Sequence, residues 1–333
     1  MMAGLLTYTI GGGGLFLIGA SESIISTSET LAQISNISSL PSSGNRSKSR
    51  SFITSSIFFA ISLVSFLFIL NSLISITDAL KSKDQTGVAL QLEVIFIAAL
   101  FLLFSVLGGF TNLENSFQIP SPILNTLCLF GFVEEFFLFY IQKKDPDGIE
   151  NRYYDLLLVP ICVCIVSTVL ELRSQKSNYS RLGRGIGLVL QGMWFVQMGF
   201  SFYSELITDG CFMREKSRGN FTIRCKGHPE FHRARSIATL QFNCHLALLV
   251  CLIAGVYSLV SRKHGVSNES MQYKPLGAEM QHLDRAQFTL DSDDDEDVDR
   301  NDHDGVKDEG SMTIEKNLVV ASETGVNGYG SHH

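Results

Sequence analysis

Long apolar runs separated by short polar segments make up most of the first 260 residues. A helix needs about 20 apolar residues to cross a hydrocarbon core roughly 30 Å thick. Within such a core, backbone polar groups must be satisfied by hydrogen bonds inside the helix. The pattern therefore predicts seven transmembrane helices, at residues 5–25, 52–76, 88–110, 122–141, 154–172, 183–207 and 237–260.

The polar residues inside these runs separate a membrane protein from a soluble helical bundle. A helix on the surface of a soluble bundle carries a polar face that recurs with the helical period, whereas serine is the only polar residue type in residues 58–70. The first and fourth runs are weaker, because one holds a run of glycines, 11–14, and Glu22, and the other holds Glu134 and Glu135. We predict an all-α, polytopic membrane helical bundle.

The last 73 residues have a different composition. Residues 261–333 hold 16 acidic and 7 basic residues, and seven of the nine residues from Asp291 to Asp299 are acidic. Such a segment cannot bury enough apolar surface to fold. The chain is therefore predicted to contain a seven-helix transmembrane domain, residues 1–260, and a disordered acidic tail, residues 261–333.

The charge distribution limits the classes of partner that the protein is expected to bind. Only 18% of the residues are charged and the net charge is -7, whereas soluble proteins carry about 25% charged residues. The tail alone carries -9, which leaves +2 for residues 1–260. Neither part has the basic surface that nucleic-acid binding requires, so we expect no nucleic-acid partner. The expected partners are the lipid bilayer and a cytosolic adaptor or kinase bound to the tail.

Two adjacent glutamates, Glu134 and Glu135, lie in the middle of the fourth run. Neighbouring residues on a helix point about 100° apart, so at least one of the two should face the bundle interior. A charged side chain at the centre of a bilayer costs roughly 2.5–3.5 kcal/mol on insertion scales. The pair therefore predicts either a structural glutamate that is protonated or hydrogen-bonded, or a proton or cation pathway.

The sixth and seventh runs add further polar candidates. Gln241 and His245 lie four residues apart, on one face of a helix. His245 could form a proton relay with Glu93, Glu134 or Glu135, or it could be a packing residue. Gln191 and Trp194 likewise share a face and could line a pocket or pack between helices. These seven residues form the candidate intramembrane polar site: Glu93, Glu134, Glu135, Gln191, Trp194, Gln241 and His245.

No cofactor or enzyme class is indicated. A single histidine within the predicted spans cannot supply a pair of axial haem ligands. The sequence contains no phosphate loop, dinucleotide fingerprint, HExxH or GxSxG pattern. We therefore expect a non-enzymatic protein without a cofactor.

The polar segment before the seventh run permits several kinds of chemistry. Cys225, His228 and His232 form a C-x2-H-x3-H pattern, which makes them weak candidates for a zinc site that still lacks a fourth ligand. Cys225 could instead form a disulfide with Cys211, which would remove the thiolate. Unpaired cysteines are the third alternative. The same segment contains a sequon at Asn220, which predicts glycosylation if it faces a lumen or the exterior.

Several segments resemble the transmembrane protein 45 family, a domain-of-unknown-function family with many plant members. These are LQGMWFVQMGF at 190–200, HPEFHRARSIATLQFNCHLALLV at 228–250, and FGFVEEFFLFY at 130–140 with the following KDPDGIENRYYDLLLVPI. The resemblance covers most of residues 1–260 and implies a multi-pass membrane protein with about seven spans and no established catalytic residues. Many relatives carry histidines in the first and middle helices, whereas no histidine precedes His228 here.

The leading hypothesis is a multi-pass protein of the endomembrane system or plasma membrane that acts in membrane organisation, trafficking or signalling through a cytosolic tail. The alternative is a small-solute or proton-coupled carrier that uses the intramembrane Glu and His residues. A tail in the cytosol places the segment with both cysteines outside. The count of flanking basic residues favours the reverse orientation.

Overall fold

A computed structural model describes residues 2–36, 46–113, 119–143, 145–174, 178–204 and 210–263. It confirms a membrane bundle of seven helices, each long and apolar enough to cross a bilayer. The predicted disordered tail lies outside the described residues from position 264 onwards. The helices are α1 Met2–Asn36, α2 Arg46–Lys81, α3 Gln85–Leu113, α4 Ser121–Ile141, α5 Glu150–Arg173, α6 Asn178–Tyr203 and α7 His228–Lys263.

The predicted boundaries differ from the observed ones in two ways. Most helices continue beyond their apolar runs, because a helix satisfies its own backbone hydrogen bonds whether or not lipid surrounds it. The polar segment between the sixth and seventh apolar runs is more than a loop, because it contains an antiparallel β-hairpin of β1 (Cys211–Ser217) and β2 (Asn220–Cys225), followed by the first turns of α7. Gly219 makes the turn with a φ of +82°, a conformation that favours glycine.

Glycines bring α1 and α6 into backbone contact. A Cβ on Gly12 would lie 2.6 Å from the carbonyl oxygen of Gly192, and a Cβ on Gly19 would lie 2.6 Å from that of Gly185. The two helices are antiparallel, since residue numbers rise along one as they fall along the other. Small residues that allow close backbone approach are the usual means of helix association in lipid.

The next helices pack around this pair. Gly187 lets α5 approach the opposite side of α6, because a Cβ there would meet Cys164 Sγ at 2.7 Å. The α2 and α3 helices are joined by a tight turn, and Ser62 and Ser105 are hydrogen-bonded between them at 2.8 Å. Gly183 lies four residues before Gly187, so both glycines lie on the side of α6 that faces α5.

An aromatic core joins α5, α6 and α7. Trp194 is fully buried, and its Nε1 donates a hydrogen bond to the backbone oxygen of Tyr153 at 3.0 Å. Tyr153 stacks on the indole at 5.4 Å between centroids, and Phe242 meets it edge-on at 5.0 Å. Within the described part of α7, most residues beyond Leu249 are exposed, so the helix packs on the bundle mainly through its first half.

The close contact at Gly12 predicts that alanine is tolerated less well at this position than at the neighbouring Gly13. Gly12→Ala should lower the free energy of unfolding by about 1–3 kcal/mol, because its Cβ would overlap the Gly192 carbonyl. Gly13→Ala is the matched control, since a Cβ there meets nothing within 4 Å. Thermal melts of detergent-purified protein measure the difference. Equal losses of stability in both variants would contradict the close contact between α1 and α6.

Candidate functional site

A cavity of about 810 Å³ lies within the bundle, between α1, α2, α3, α4, α6 and the β-hairpin. Charged residues line it near both ends, Glu22 and Arg184 at one and Lys216 and Arg218 at the other. The wall between these ends is mostly aromatic and aliphatic. Its apolar side chains include Phe58, Ile61, Val64, Phe68, Phe101, Phe104, Phe132 and Phe195.

Glu135 is the charged side chain in the middle part of this wall. It is half-buried on α4, and its Oε1 accepts a hydrogen bond from Gln191 Nε2 of α6 at 2.5 Å. Among the described residues, nothing hydrogen-bonds to the second carboxyl oxygen. Gln191 is fully buried, and its own Oε1 has no partner in the described part of the chain. The pair therefore places one carboxyl oxygen in an apolar cavity, with a fixed amide behind it.

An ion cluster ties α1, α5 and α6 together at one end of the cavity. The guanidinium of Arg184 is buried; it hydrogen-bonds Glu22 of α1 through Nε at 3.0 Å and also through NH2, and it binds Glu171 of α5 through NH1. Ser26 reinforces the joint by donating to the backbone oxygen of Asn178 at 2.5 Å. Two carboxylates share Arg184, so it has no charge left to neutralise Glu135.

The β-hairpin closes the opposite end by docking on the turn between α2 and α3. Asp84 in that turn is fully buried, and its Oδ2 accepts hydrogen bonds from Ser217 Oγ at 2.7 Å and Asn220 Nδ2 at 2.5 Å. Lys216 Nζ lies 3.1 Å from the other carboxyl oxygen. Burial alone would raise the pKa of Asp84, but these hydrogen bonds and Lys216 hold it well below its usual range.

Arg218 extends the docking to α2. Its guanidinium donates to Asn71 Oδ1 at 2.8 Å, and its backbone nitrogen donates to Asp78 Oδ2 at 2.9 Å. Thr7 of α1 donates to the same Asn71 oxygen at 3.3 Å. The hairpin tip therefore contacts a polar junction between α1 and α2 at the end of the cavity.

The second strand attaches the hairpin to α5. The backbone nitrogen of Ile223 donates to Glu150 Oε2 at 2.8 Å, and the nitrogen of Ile149 donates to the Ile223 oxygen at 3.1 Å. Arg224 forms an ion pair with Asp145, donating from Nε at 2.9 Å. The hydrogen bonds from Arg224 hold the pKa of the Asp145 carboxyl below its usual value. The hairpin is thus fixed on both sides rather than lying free in solvent.

The structure divides the seven residues of the candidate polar site into three groups. Glu135 lines the cavity and is hydrogen-bonded to Gln191, which lies behind it. Gln241, which accepts from Tyr153 at 3.1 Å, and His245 both lie around Trp194, and the His245 ring is edge-on to the indole at 5.8 Å. The remaining two are Glu134, which is exposed on the outer side of α4, and Glu93, which is half-buried within electrostatic reach of it.

This division does not assemble the proton relay between the glutamates and His245, which was one of the two alternatives for that histidine. His245 Nδ1 lies 2.8 Å from the backbone oxygen of Gln241, within its own helix. Among the described residues, it makes no contact with Glu93, Glu134 or Glu135. His245 is therefore placed as a packing residue of the aromatic core.

The cysteines of the hairpin form a disulfide. Cys211 and Cys225 are paired across the first register position of the strands, with their Cα atoms 3.9 Å apart. This pairing removes Cys225 as a thiolate and therefore the weak zinc candidate of Cys225, His228 and His232. The two histidine rings lie 4.4 Å apart, but no group of three potential metal ligands occurs among the described residues.

Glycosylation at Asn220 does not fit this arrangement. The side chain is only 7% exposed, and its Nδ2, the atom that would carry a glycan, donates to Asp84. Although Asn220 lies in a sequon, its side chain acts in this structure as a hydrogen-bond donor that docks the hairpin. A glycan on this nitrogen would break the hydrogen bond to Asp84 and displace the hairpin.

Sequence reasoning missed the ion cluster and the role of Asp84. Arg184 looks like a flanking basic residue at the start of the sixth run, yet it lies within α6 and is buried. The available signal was Glu22, since a carboxylate inside an apolar run requires a partner. Asp84 had no comparable signal, because its partners come from a hairpin more than 130 positions later.

Residues 121–258 match a family described as a family of unknown function, DUF716. The match runs from α4 into α7, so it includes Glu135, Gln191, the disulfide and the aromatic core. It leaves out α1, α2 and α3, which supply much of the cavity wall and the carboxylate of Glu22.

The Asp84 contacts predict how the hairpin responds to mutation and pH. Asp84→Asn removes charge-assisted hydrogen bonds worth about 1.5–3 kcal/mol, so hydrogen exchange of the amides in 211–225 should accelerate roughly ten- to a hundredfold. Because the pKa of Asp84 is lowered, the stabilisation is complete above the ordinary carboxyl range and is lost only as pH falls through the lowered value.

Asp147→Asn serves as the matched control for this measurement. Asp147 lies in the exposed turn before α5, and its backbone nitrogen rather than its carboxyl makes the local hydrogen bond, to Asp145. Its exchange pattern in 211–225 should stay that of the unmodified protein. Unchanged exchange in Asp84→Asn would show that the hairpin is held by its other contacts.

Proposed function

We propose that this chain is a non-enzymatic, multi-pass membrane protein whose helical bundle binds an amphipathic small molecule inside the membrane. The supporting observation is the cavity of about 810 Å³, which lies within the 300–1,000 Å³ typical of ligand sites. The middle of its wall is mainly apolar and suits a hydrocarbon chain or ring system, and most of its charged groups lie towards the two ends. This combination is typical of sites where apolar contacts give affinity and a few polar groups give orientation.

A hydrophobic ligand would also provide packing contacts to the apolar side chains of the cavity wall. Side chains that line a cavity have no packing partners within the protein on that side. Water is a poor substitute where Phe58, Phe101 and Phe132 form the wall, because apolar cavities stay dry. A hydrophobic occupant would restore those contacts.

A carrier that moves protons from the glutamates to His245 has less support. Such a relay needs a chain of groups within hydrogen-bond reach, and the described groups lie in separate clusters, Glu135 with Gln191 and His245 with Gln241. Movement of the bound molecule across the membrane remains the second candidate. It is favoured by charged residues at both ends of the cavity, Arg184 at one and Arg218 at the other.

The proposal extends to relationship and location. We propose that the chain is related to the transmembrane protein 45 group, that it resides in the endomembrane system or plasma membrane, and that the tail recruits a cytosolic adaptor or kinase. The disulfide between Cys211 and Cys225 supports an oxidising environment for the hairpin. With seven helices, the tail then faces the cytosol.

The ligand proposal is tested with two adjacent alanines of α3. Ala98 lines the cavity and is 5% exposed, whereas Ala99 is exposed on the outer surface. Ala98→Phe should fill part of the cavity and suppress photolabelling of the bundle by a diazirine-bearing dodecanol. Ala99→Phe adds the same ring towards lipid and should label like the unmodified protein.

The labelled peptides are identified by mass spectrometry, with excess unlabelled dodecanol as competitor. Competable labelling of cavity residues that persists in Ala98→Phe, or that is absent from the unmodified protein, would refute ligand binding in the cavity. Both variants should elute as a single species on size exclusion, which shows that the added ring has not unfolded the bundle.

The orientation is tested separately in sealed microsomes, whose outer surface is the cytosolic side. Protease added outside should remove an epitope placed after His333, while residues 210–227 stay protected until detergent is added. The disulfide should survive in those vesicles. Asn178-Tyr-Ser and Asn268-Glu-Ser are sequons on the opposite side of the membrane from the hairpin. A protected epitope, together with a glycan on Asn178 or Asn268, would reverse the orientation and exclude a cytosolic partner for the tail.

A further inference from the structure

The charges around the cavity indicate the chemical class of its occupant. The hairpin end is mixed, since Lys81, Lys216 and Arg218 lie near Asp78 and Glu215, and Lys216 is already paired with Asp84. That end favours neither sign. The deeper part is lined by Glu22, Glu135, Arg181 and Arg184. Its two arginines pair with carboxylates other than Glu135.

Arg181 and Arg184 together pair with three carboxylates, Glu22, Glu29 and Glu171. Arg184 is shared between Glu22 and Glu171, so one positive charge faces two negative ones. Glu135 adds a carboxyl with no cationic partner among the described residues. A carboxylate in a membrane interior requires either a counter-cation or a proton. An occupant that brings a cation would supply this missing partner of Glu135.

The geometry at Glu135 shows where that cation would bind. Gln191 holds one carboxyl oxygen at 2.5 Å and fixes the side chain against α6. The other oxygen has no hydrogen bond in the described structure, and Glu135 lines the cavity. Gln191 also keeps an unsatisfied, fully buried Oε1 next to the carboxyl. Gln191 does not itself line the cavity, so the acceptor open to a ligand is the second oxygen of Glu135, which suits a ligand that carries N–H groups.

The surrounding rings suit the same ligand. Phe132 and Phe139 lie on α4 on either side of Glu135 in sequence, and Phe195 lies on α6. An organic cation gains from the faces of aromatic rings as well as from a carboxylate. An inorganic cation would need several oxygen ligands, and the described residues hold no cluster of three that could supply them.

We propose that the cavity binds an amphipathic organic amine, whose ammonium group pairs with the free oxygen of Glu135 and whose apolar chain lies among the phenylalanines. This inference rests on the proposed function and adds the ligand's class. The ligand's hydrocarbon chain makes contacts that any hydrophobic molecule could make. The ammonium provides the discrimination, since a neutral or anionic head would leave the carboxyl unpaired.

The experiment compares diazirine-bearing dodecylamine, dodecanol and dodecanoic acid on the purified full-length protein. Competition for photolabelling gives their relative affinities. We expect dodecylamine to bind about tenfold or more tightly than dodecanol, because a charge-assisted hydrogen bond adds roughly that much. Dodecanoic acid should bind least. Labelled peptides should come from α4 and α6 around Phe132, Phe139 and Phe195.

Two neighbouring substitutions isolate the charge. Glu135→Gln keeps the size and a hydrogen-bonding tip, and it should bring dodecylamine to the affinity that dodecanol has for the same variant. Glu134→Gln is the matched control on the outer side of α4 and should keep the preference. Equal binding of amine and alcohol to the unmodified protein, or a preference that survives Glu135→Gln, would overturn the amine assignment.

The two proposals fail in different ways. If dodecanol labels the cavity and Ala98→Phe blocks it, but amine and alcohol are equivalent, the cavity binds ligands and the amine inference is wrong. If neither probe labels the cavity, the proposed function itself is wrong. Should Glu135→Gln fail to fold, the amine-to-alcohol ratio and the peptide map of the unmodified protein still decide the inference.

Discussion

The contact between α1 and α6 determines how the rest of the bundle is arranged. Gly12 and Gly19 face Gly192 and Gly185 so closely that no side chain fits between the backbones. Lipid tails provide no hydrophobic drive to bring helices together, so close backbone packing has to supply the attraction. With α1 committed to α6, and α2 paired with α3 through their short turn, the space between the two pairs remains as the cavity.

The polar interactions divide between the two ends of that cavity, and they differ in kind. At the hairpin end, Asp84 and Asp145 accept hydrogen bonds from residues of one hairpin, so charge there holds a small element against the bundle. At the deeper end, Arg184 joins three helices. Glu135 lies between them and belongs to neither network.

The seven helices could be predicted from sequence because crossing a membrane imposes one strong local requirement, a long apolar run. The hairpin could not, since β1 is half polar and its partners, Asp84 and Glu150, come from distant turns. Glu135 and Gln191 were both recognisable as buried polar residues. Their pairing was not, because nothing in a single sequence specifies which faces of α4 and α6 meet. The cysteine spacing likewise left the disulfide as one of several alternatives.

The buried ion cluster contributes more to register than to net stability. Desolvating Arg184 and its carboxylates consumes much of what their attraction provides. A slip of α6 by one turn, about 5.4 Å, would separate Arg184 from Glu22 and bring Leu188 or Val189 to the place of Gly185, where α1 leaves no room. Both penalties select the same alignment of α1 on α6. That alignment also fixes the height and rotation of Gln191, and therefore the position at which Glu135 meets the cavity.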